Sequence, residues 1–281
     1  MYHRWLATLA GAAFALLVPA AAAAQIDYRN LDDDRPTRTE DAYPLEHHAF
    51  ELLLPLSYTA WRGGGALHAS VLELTYGALR DFQVGIKVPL AGQDPPGPGR
   101  TTWGVSGVRV FALYNFNTDG PLPALALRAD VHLPAGSLGG DQARGELKGI
   151  VTRSFGRTRA HLNGALGLGA EGTQPAVEGA ARWWAGGALD RTLFRQSVLL
   201  IAEAYAIRDT RGAALEVNAG LGARWQLSPT IVLDAGVTRR LRDTGPDLSL
   251  TLGLSHAFAV AGLMLVRRMT PAPAGGRDAH H

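Results

Sequence analysis

From residue 49 onward the chain alternates apolar and polar side chains with a period of two, the repeat of a strand whose side chains point to opposite faces in turn. Residues 215–227 show it most cleanly. Leu215, Val217, Ala219, Leu221, Ala223, Trp225 and Leu227 share one face, and Glu216, Asn218, Gly220, Gly222, Arg224 and Gln226 share the other. Residues 247–258 repeat the arrangement, as do residues 122–134, where Leu125, Leu127, Ala129, Val131 and Leu133 oppose Arg128, Asp130 and His132. Less regular versions at 49–61, 67–77, 81–90, 104–116, 146–155, 159–170, 177–188, 197–208 and 230–241 bring the total to about twelve strands.

Strands of roughly 10 to 13 residues exceed the five or six usual in a soluble sandwich and fit a tilted crossing of a bilayer. The connections alternate in length. Gly77 to Asp81, Gly156 to Arg159 and Leu227 to Thr230 are tight, whereas Ala91 to Trp103 and Pro134 to Gly145 are long and rich in Gly and Pro. Short periplasmic turns and longer outer loops are the habit of outer-membrane barrels. In lipid, strands with one apolar face satisfy their backbone groups only by closing on themselves. The pattern therefore predicts an all-β fold, a transmembrane antiparallel up-and-down β-barrel of about twelve strands over residues 49–258. A periplasmic β-sandwich with an apolar core is the competing arrangement.

The flanking segments set the compartment. Arg4, the apolar run Trp5 to Val18, Pro19 and the small residues up to Ala24 read as a signal peptide over residues 1–24, directing export. Residues 25–48 form an acidic segment expected to be a solvated periplasmic leader, and residues 259–281 a partly disordered C-terminal extension. The expected location is the bacterial outer membrane. With no cysteine, thiol catalysis, disulfides and a lipid-modified N-terminal Cys are excluded. A net charge of +2 with no basic block argues against nucleic acid as a partner.

Two stretches carry a resemblance. DRPTRTEDA at 34–42, leading through HHAFELLLPLSYTAW, and WQLSPTIVLDAGVTRRLRDTGPDLSLTLGLSHAF at 225–258 resemble the outer-membrane "transporter" β-barrels of the meta-pathway phenol-degradation protein family. The resemblance implies uptake of aromatic or other hydrophobic compounds and an assembly signal ending on an aromatic residue. Here the chain runs on past Phe258.

Candidate chemistry is sparse, and no catalytic set, metal site or cofactor motif stands out. Asp32, Asp33, Asp34, Glu40 and Asp41 with His47 and His48 supply oxygen and imidazole ligands for a cation, or simply a solvated surface. His68 and Ser70 share a face of one strand, as in outer-membrane lipid A deacylases, and offer a hydrolase alternative that lacks an orienting acid. Gly222 falls on the lumen side, where a small substitution such as Gly222→Ser is expected to be mild. Trp184 is expected to face inward as a stacking surface for an apolar solute. The alternation puts Gln83, Lys87, Arg109, Asn115, Arg128, Asp130, His132, His161, Asn163, Glu178, Arg182, Glu203, Glu216, Arg224, Asp234 and Arg240 inside. Ten of these are the candidate lumen-lining and binding residues: Lys87, Arg109, Arg128, Asp130, His132, Glu203, Glu216, Arg224, Asp234 and Arg240. A barrel of this size is narrower than the water-filled porins. The reading is a non-enzymatic narrow channel or binding barrel for small, hydrophobic or aromatic solutes, with a structural barrel without transport as the alternative. Its expected partners are outer-membrane lipid, a small-molecule solute and the barrel-assembly machinery.

Overall fold

The computed structural model describes residues 27–62, 66–169, 182–194, 197–210, 214–242 and 244–259, the side chains of residues 66, 68 and 70 excepted. The expected signal peptide, Glu178, the extension after Ala259 and the side chains of the His68/Ser70 pair therefore lie outside the described residues.

Fourteen strand segments follow one another: β1 (Ala49–Leu53), β2 (Leu56–Ala60), β3 (Ala66–Leu79), β4 (Phe82–Asp94), β5 (Thr102–Val105), β6 (Val108–Asn117), β7 (Ala124–Leu133), β8 (Arg144–Phe155), β9 (Thr158–Leu168), β10 (Arg182–Leu193), β11 (Val198–Asp209), β12 (Glu216–Ser228), β13 (Ile231–Arg240) and β14 (Leu248–Ala259). Two spanning strands are each split in two. Between β1 and β2 the split is at Leu54–Pro55, where proline has no N–H for the ladder. The register itself runs on, because Leu54 N–H donates to the Leu254 carbonyl (2.9 Å) and Val71 N–H to the Pro55 carbonyl (3.0 Å). Between β5 and β6, Gly107 takes a left-handed φ of 86° and adds a bulge against β4. Counting each split strand once gives twelve. Neighbours pair antiparallel throughout, and β14 pairs with β1 and β2 to close the sheet into a barrel.

Side chains alternate as the pattern demands. Leu72, Leu221 and Leu252 stand more than half exposed on the outer surface, while Arg128, Lys148 and Arg224 are fully buried inside. Aromatic residues mark both outer rims: Trp61 and Trp103 at one end, Tyr114, Phe116, Phe155 and Phe194 at the end with the tight turns. Where the closing seam reaches that second end, Phe258, Phe50 and Tyr76 stack in a row across β14, β1 and β3.

Two sequence boundaries need correction. Residues 91–94 belong to β4, which shortens the first long loop to 95–101. β10, described from Arg182, runs on to Leu193 and so passes the expected end at 188, while the expected start at 177 lies outside the described residues. Asp190 points inward to Arg159, and the strand continues through it.

The largest correction concerns the leader. Residues 28–46 are not a solvated periplasmic segment, because Leu31, Arg35, Thr39, Glu40, Asp41 and Ala42 are buried inside the barrel. The apolar core sits there too. Tyr28, Leu31 and Leu45 pack on Leu199, Ile201 and Val232, and Ala42 packs on Leu113 and Ile150. Near the tight-turn end part of the inner wall is thus apolar, and the leader gives it something to bury against.

Candidate functional site

The leader enters from the tight-turn end, turns back inside the lumen and returns to β1. Its reversal is made by Asp32–Arg35, with Arg35 N–H donating to the Asp32 carbonyl (3.1 Å) and Asp34 at a left-handed φ of 63°. Aspartate tolerates that conformation better than most residues, which gives the acidic run a local role. The two arms are tied where Asp41 N–H donates to the Leu31 carbonyl and Leu31 N–H to the Asp41 carboxylate.

A chain with no helix or strand of its own can cross a buried space only if its backbone groups find partners. Here the wall's side chains supply them. Glu203 accepts from the N–H groups of Arg38 and Thr39 and from the Thr39 hydroxyl, each at 3.0 Å. Asn163 accepts from Glu40 N–H (2.8 Å) and donates to the Glu40 carbonyl (2.9 Å). Ala42 N–H donates to Thr152 (3.0 Å), Asn115 donates to the Ala42 carbonyl (2.7 Å), and Leu45 N–H donates to Gln83 (2.6 Å).

The wall also makes room for the leader. A side chain at Gly77 would fall on the Glu46 carbonyl, and one at Gly236 on the Pro36 carbonyl. At Gly222, which pairs with Gly236, an added Cβ would lie 2.8 Å from the Pro36 ring and 3.0 Å from the Thr37 methyl. Pro36 thus rests in a glycine cradle across β12 and β13, and Gly222→Ser is not the mild change that a solvent-filled lumen would allow.

Three ionic clusters fix the leader. In the first, Asp33 meets Arg109 at 2.9 Å, Lys87 at 3.2 Å and Arg128 at 3.5 Å, and bonds Lys148, while Glu40 meets Arg128 and Lys148 at 2.8 Å each. Glu73 and Asp130 complete it by pairing with Lys87 and Arg128. The Arg128 guanidinium lies over Phe111, 3.8 Å from the ring centre. In the second, Asp32 bridges Arg35 and Arg224 at 3.0 Å each, and Arg35 reaches Asp234 and Ser255. In the third, Arg159 joins Asp41 to Asp190, which also meets His161. Burial alone would raise the Asp33 pKa, but Lys148, Lys87, Arg128 and Arg109 together hold that carboxyl well below its ordinary range. Asp32 is lowered in the same way by Arg224 and Arg35, against burial.

Beyond the turn of the leader, a cavity of about 390 Å³ opens toward the end with the long loops. Asp33, Asp34, Pro36, Thr37 and Arg38 form its floor, and its wall mixes polar groups with Trp61, Val71, Leu133, Tyr205 and Ile207.

The candidate residues divide accordingly. Lys87, Arg109, His132, Glu203 and Glu216 line the cavity. Arg128, Asp130, Arg224 and Asp234 are buried among the ionic clusters. Arg240 instead braces an outer loop through Asp247 at 2.5 Å and the Gly245 carbonyl. Trp184 faces inward, but Arg38 of the leader lies 5.1 Å from its ring centre and Lys148 5.6 Å, so cations and not an apolar solute meet this ring. Sequence reasoning missed Lys148, Arg159, Asp190 and Glu73. Lys148 shares its parity with Glu146 in β8, and that parity was the available signal. The carboxylates of the leader face lysine and arginine, which answers both earlier readings of that segment.

Solved outer-membrane channels share this arrangement of strands. The COG4313 outer membrane channel from Pseudomonas putida F1 aligns at a TM-score of 0.62 and 13% identity, over 82% of this chain and 100% of that one. The NanC porin aligns at 0.54 and 9% identity over 73% and 98% of the two chains, and the KdgM porin, solved in complex with disordered oligogalacturonate, at 0.51 and 12% over 75% and 99%. The protein has the fold of an outer-membrane channel barrel. At these identities the likeness establishes the fold and nothing finer. No family model matches the chain, and no curated protein matches it.

Proposed function

We propose that the protein is a bacterial outer-membrane channel for small solutes whose lumen is closed by its own N-terminal leader. The observation that carries this reading is the juxtaposition of an open cavity of about 390 Å³ with a floor that is not part of the barrel wall. The floor is a chain segment held by side-chain contacts alone, while the wall closes without it. An apolar exterior of leucines and valines with aromatic residues at both rims supports residence in a membrane. The mixed lining suits solutes with polar and apolar parts, and the resemblance of residues 34–42 and 225–258 to the phenol-degradation family supports aromatic compounds among them. Arg128, Asp130, His132, Glu216 and Arg224 would then line the path uncovered when the leader withdraws.

Liposome swelling tests the reading. The full chain and a form lacking residues 27–46 are reconstituted and given a panel of sugars and aromatic solutes. Faster swelling of the shortened form, with its barrel intact by heat-dependent gel mobility, is the expected result. A folded barrel that admits no solute in either form refutes the channel and leaves a closed structural barrel.

A further inference from the structure

The first ionic cluster contains an arrangement that strand pairing alone disfavours. Lys87 on β4 stands directly opposite Arg109 on β6, and Arg128 on β7 directly opposite Lys148 on β8. Like charges in directly opposed positions repel, and here four cations on four successive wall strands turn toward one volume of the lumen. On the wall, Glu73 lies 3.1 Å from Lys87 and Asp130 2.8 Å from Arg128. The leader adds two more carboxylates. Asp33 touches all four cations and Glu40 touches two of them, Arg128 and Lys148. Without the leader, Lys148 would lose the carboxylates of both Asp33 and Glu40 in a narrow lumen, where screening is weak and an unpaired charge is costly.

We infer that Lys87, Arg109, Arg128 and Lys148 form an anion site for solutes bearing two carboxylates, and that Asp33 and Glu40 of the leader occupy it as an internal stand-in. The inference rests on the channel reading above and names the class of solute for it. The spacing of the stand-in sets the shape of the solute. One oxygen of each leader carboxylate bonds the same Lys148 ammonium, so the two lie within roughly two hydrogen-bond lengths, about 6 Å, of each other. That is the separation available to a short dicarboxylate such as succinate. Access comes from the cavity, whose lining already includes Lys87, Arg109 and Asp33. An arriving anion meets the first two cations at the cavity floor and takes the rest as Asp33 and then Glu40 leave. Arg128 rests over Phe111 and is paired with Asp130 of its own strand, so this part of the site keeps its geometry when the leader goes.

The test uses the full chain in planar bilayers. Asp33→Asn with Glu40→Gln neutralises the stand-in while leaving the wall untouched. This form should conduct more than the parent, favour anions in reversal potential, and lose chloride current on addition of succinate, with acetate at least tenfold less effective. Adding Arg128→Met and Lys148→Met should weaken the succinate block at least tenfold. A second measurement leaves the anchoring charges intact. The chain has no cysteine, and Ala42 of the leader is fully buried against the wall, so Ala42→Cys provides a single thiol shielded in the closed state. Succinate should speed its labelling by a maleimide severalfold over chloride at equal ionic strength. If the neutralised form conducts but prefers cations, or if succinate neither blocks it nor exposes the thiol, the anion site is refuted and the channel stands. If no form conducts or admits solute although the barrel is folded, the channel reading falls and the inference falls with it.

Discussion

Asn163→Leu isolates the docking of the leader from every charge in the lumen. Asn163 is 5% exposed and holds both backbone groups of Glu40, accepting at 2.8 Å and donating at 2.9 Å. Leucine has nearly the same size and neither a donor nor an acceptor, so the substitution opens no cavity and leaves one N–H and one C=O buried without partners. Each such group costs about 1–3 kcal/mol. The sum is about 2–6 kcal/mol, and the lower half applies if water enters from the small polar space beside Glu40 and Arg128. The loss should fall on the leader and not on the barrel, because the backbone of Asn163 stays in its ladders opposite Ile150 and Gly186. At 1.4 kcal/mol per decade, the undocked population rises about thirtyfold or more. Hydrogen exchange read by mass spectrometry over residues 28–46 would show that rise, with β9 protection and heat-dependent gel mobility as controls. Leader protection that changes less than about threefold in a folded barrel would show that the wall does not hold the leader through these bonds.

Further expectations follow from the same geometry. Leu221 is 62% exposed on the outer face, so Leu221→Arg should cost about 2–4 kcal/mol of membrane folding if it sits near the midplane, measured by urea titration in lipid. Its neighbour Gly222→Ser should leave that folding free energy nearly unchanged and instead loosen the leader, since the new side chain meets Pro36 and Thr37, and protease clipping of the leader would report it. Docking should also depend on acid. The docked pKa values of Asp32 and Asp33 lie below their free values, so their stabilisation is complete above the free aspartate pKa near about 3.9 and is lost as pH falls through the docked values. Asp41, raised by burial against Arg159, opposes this, because its protonation favours the docked state. Thiol labelling of Ala42→Cys, sampled by brief acid pulses, should stay slow at pH 5 and rise only below about pH 4. Finally, proteases added to intact cells should cut at 95–101 and 134–143 and spare the tight turns.

Which face of each strand meets lipid was legible because lipid enforces it. A charge on the outer face near the midplane is costly, so Leu221, Leu252 and Leu127 had to alternate with Gly222, Gly253 and Arg128, and the register follows. What fills the inside was not legible from alternation. A polar inward side chain looks the same in sequence whether it meets water, a solute or another segment of the same chain. Asn115, Asn163 and Glu203 read as a wet lumen, and in the structure they carry the hydrogen bonds of a leader with no regular structure. Apolar inward residues such as Leu199 and Ile201 were the discordant signal, since a water-filled lumen gives no reason to place them there. The β10 boundary slipped for a related reason: Asp190 ends a strand only if it faces solvent, and here it faces Arg159.

Charge distribution along the chain held the missing clue. Residues 25–48 carry seven acids against three bases, whereas residues 49–258 carry twenty bases against seventeen acids. For a leader free in solution the two excesses would be unrelated. A barrel lumen changes the energetics, because a side chain that points inward from a narrow wall cannot snorkel to bulk water and must be matched within a few ångströms. The wall excess concentrates where Lys87 opposes Arg109 and Arg128 opposes Lys148, and the leader excess sits at Asp33 and Glu40. Two errors of design taken separately, like charges paired across a sheet and carboxylates clustered on a short loop, cancel when one is placed inside the other. The same matching explains why the leader needs no strand or helix of its own. Its fold is dictated by the wall, so any change in the wall's charge should be felt first in the leader and only later in the barrel.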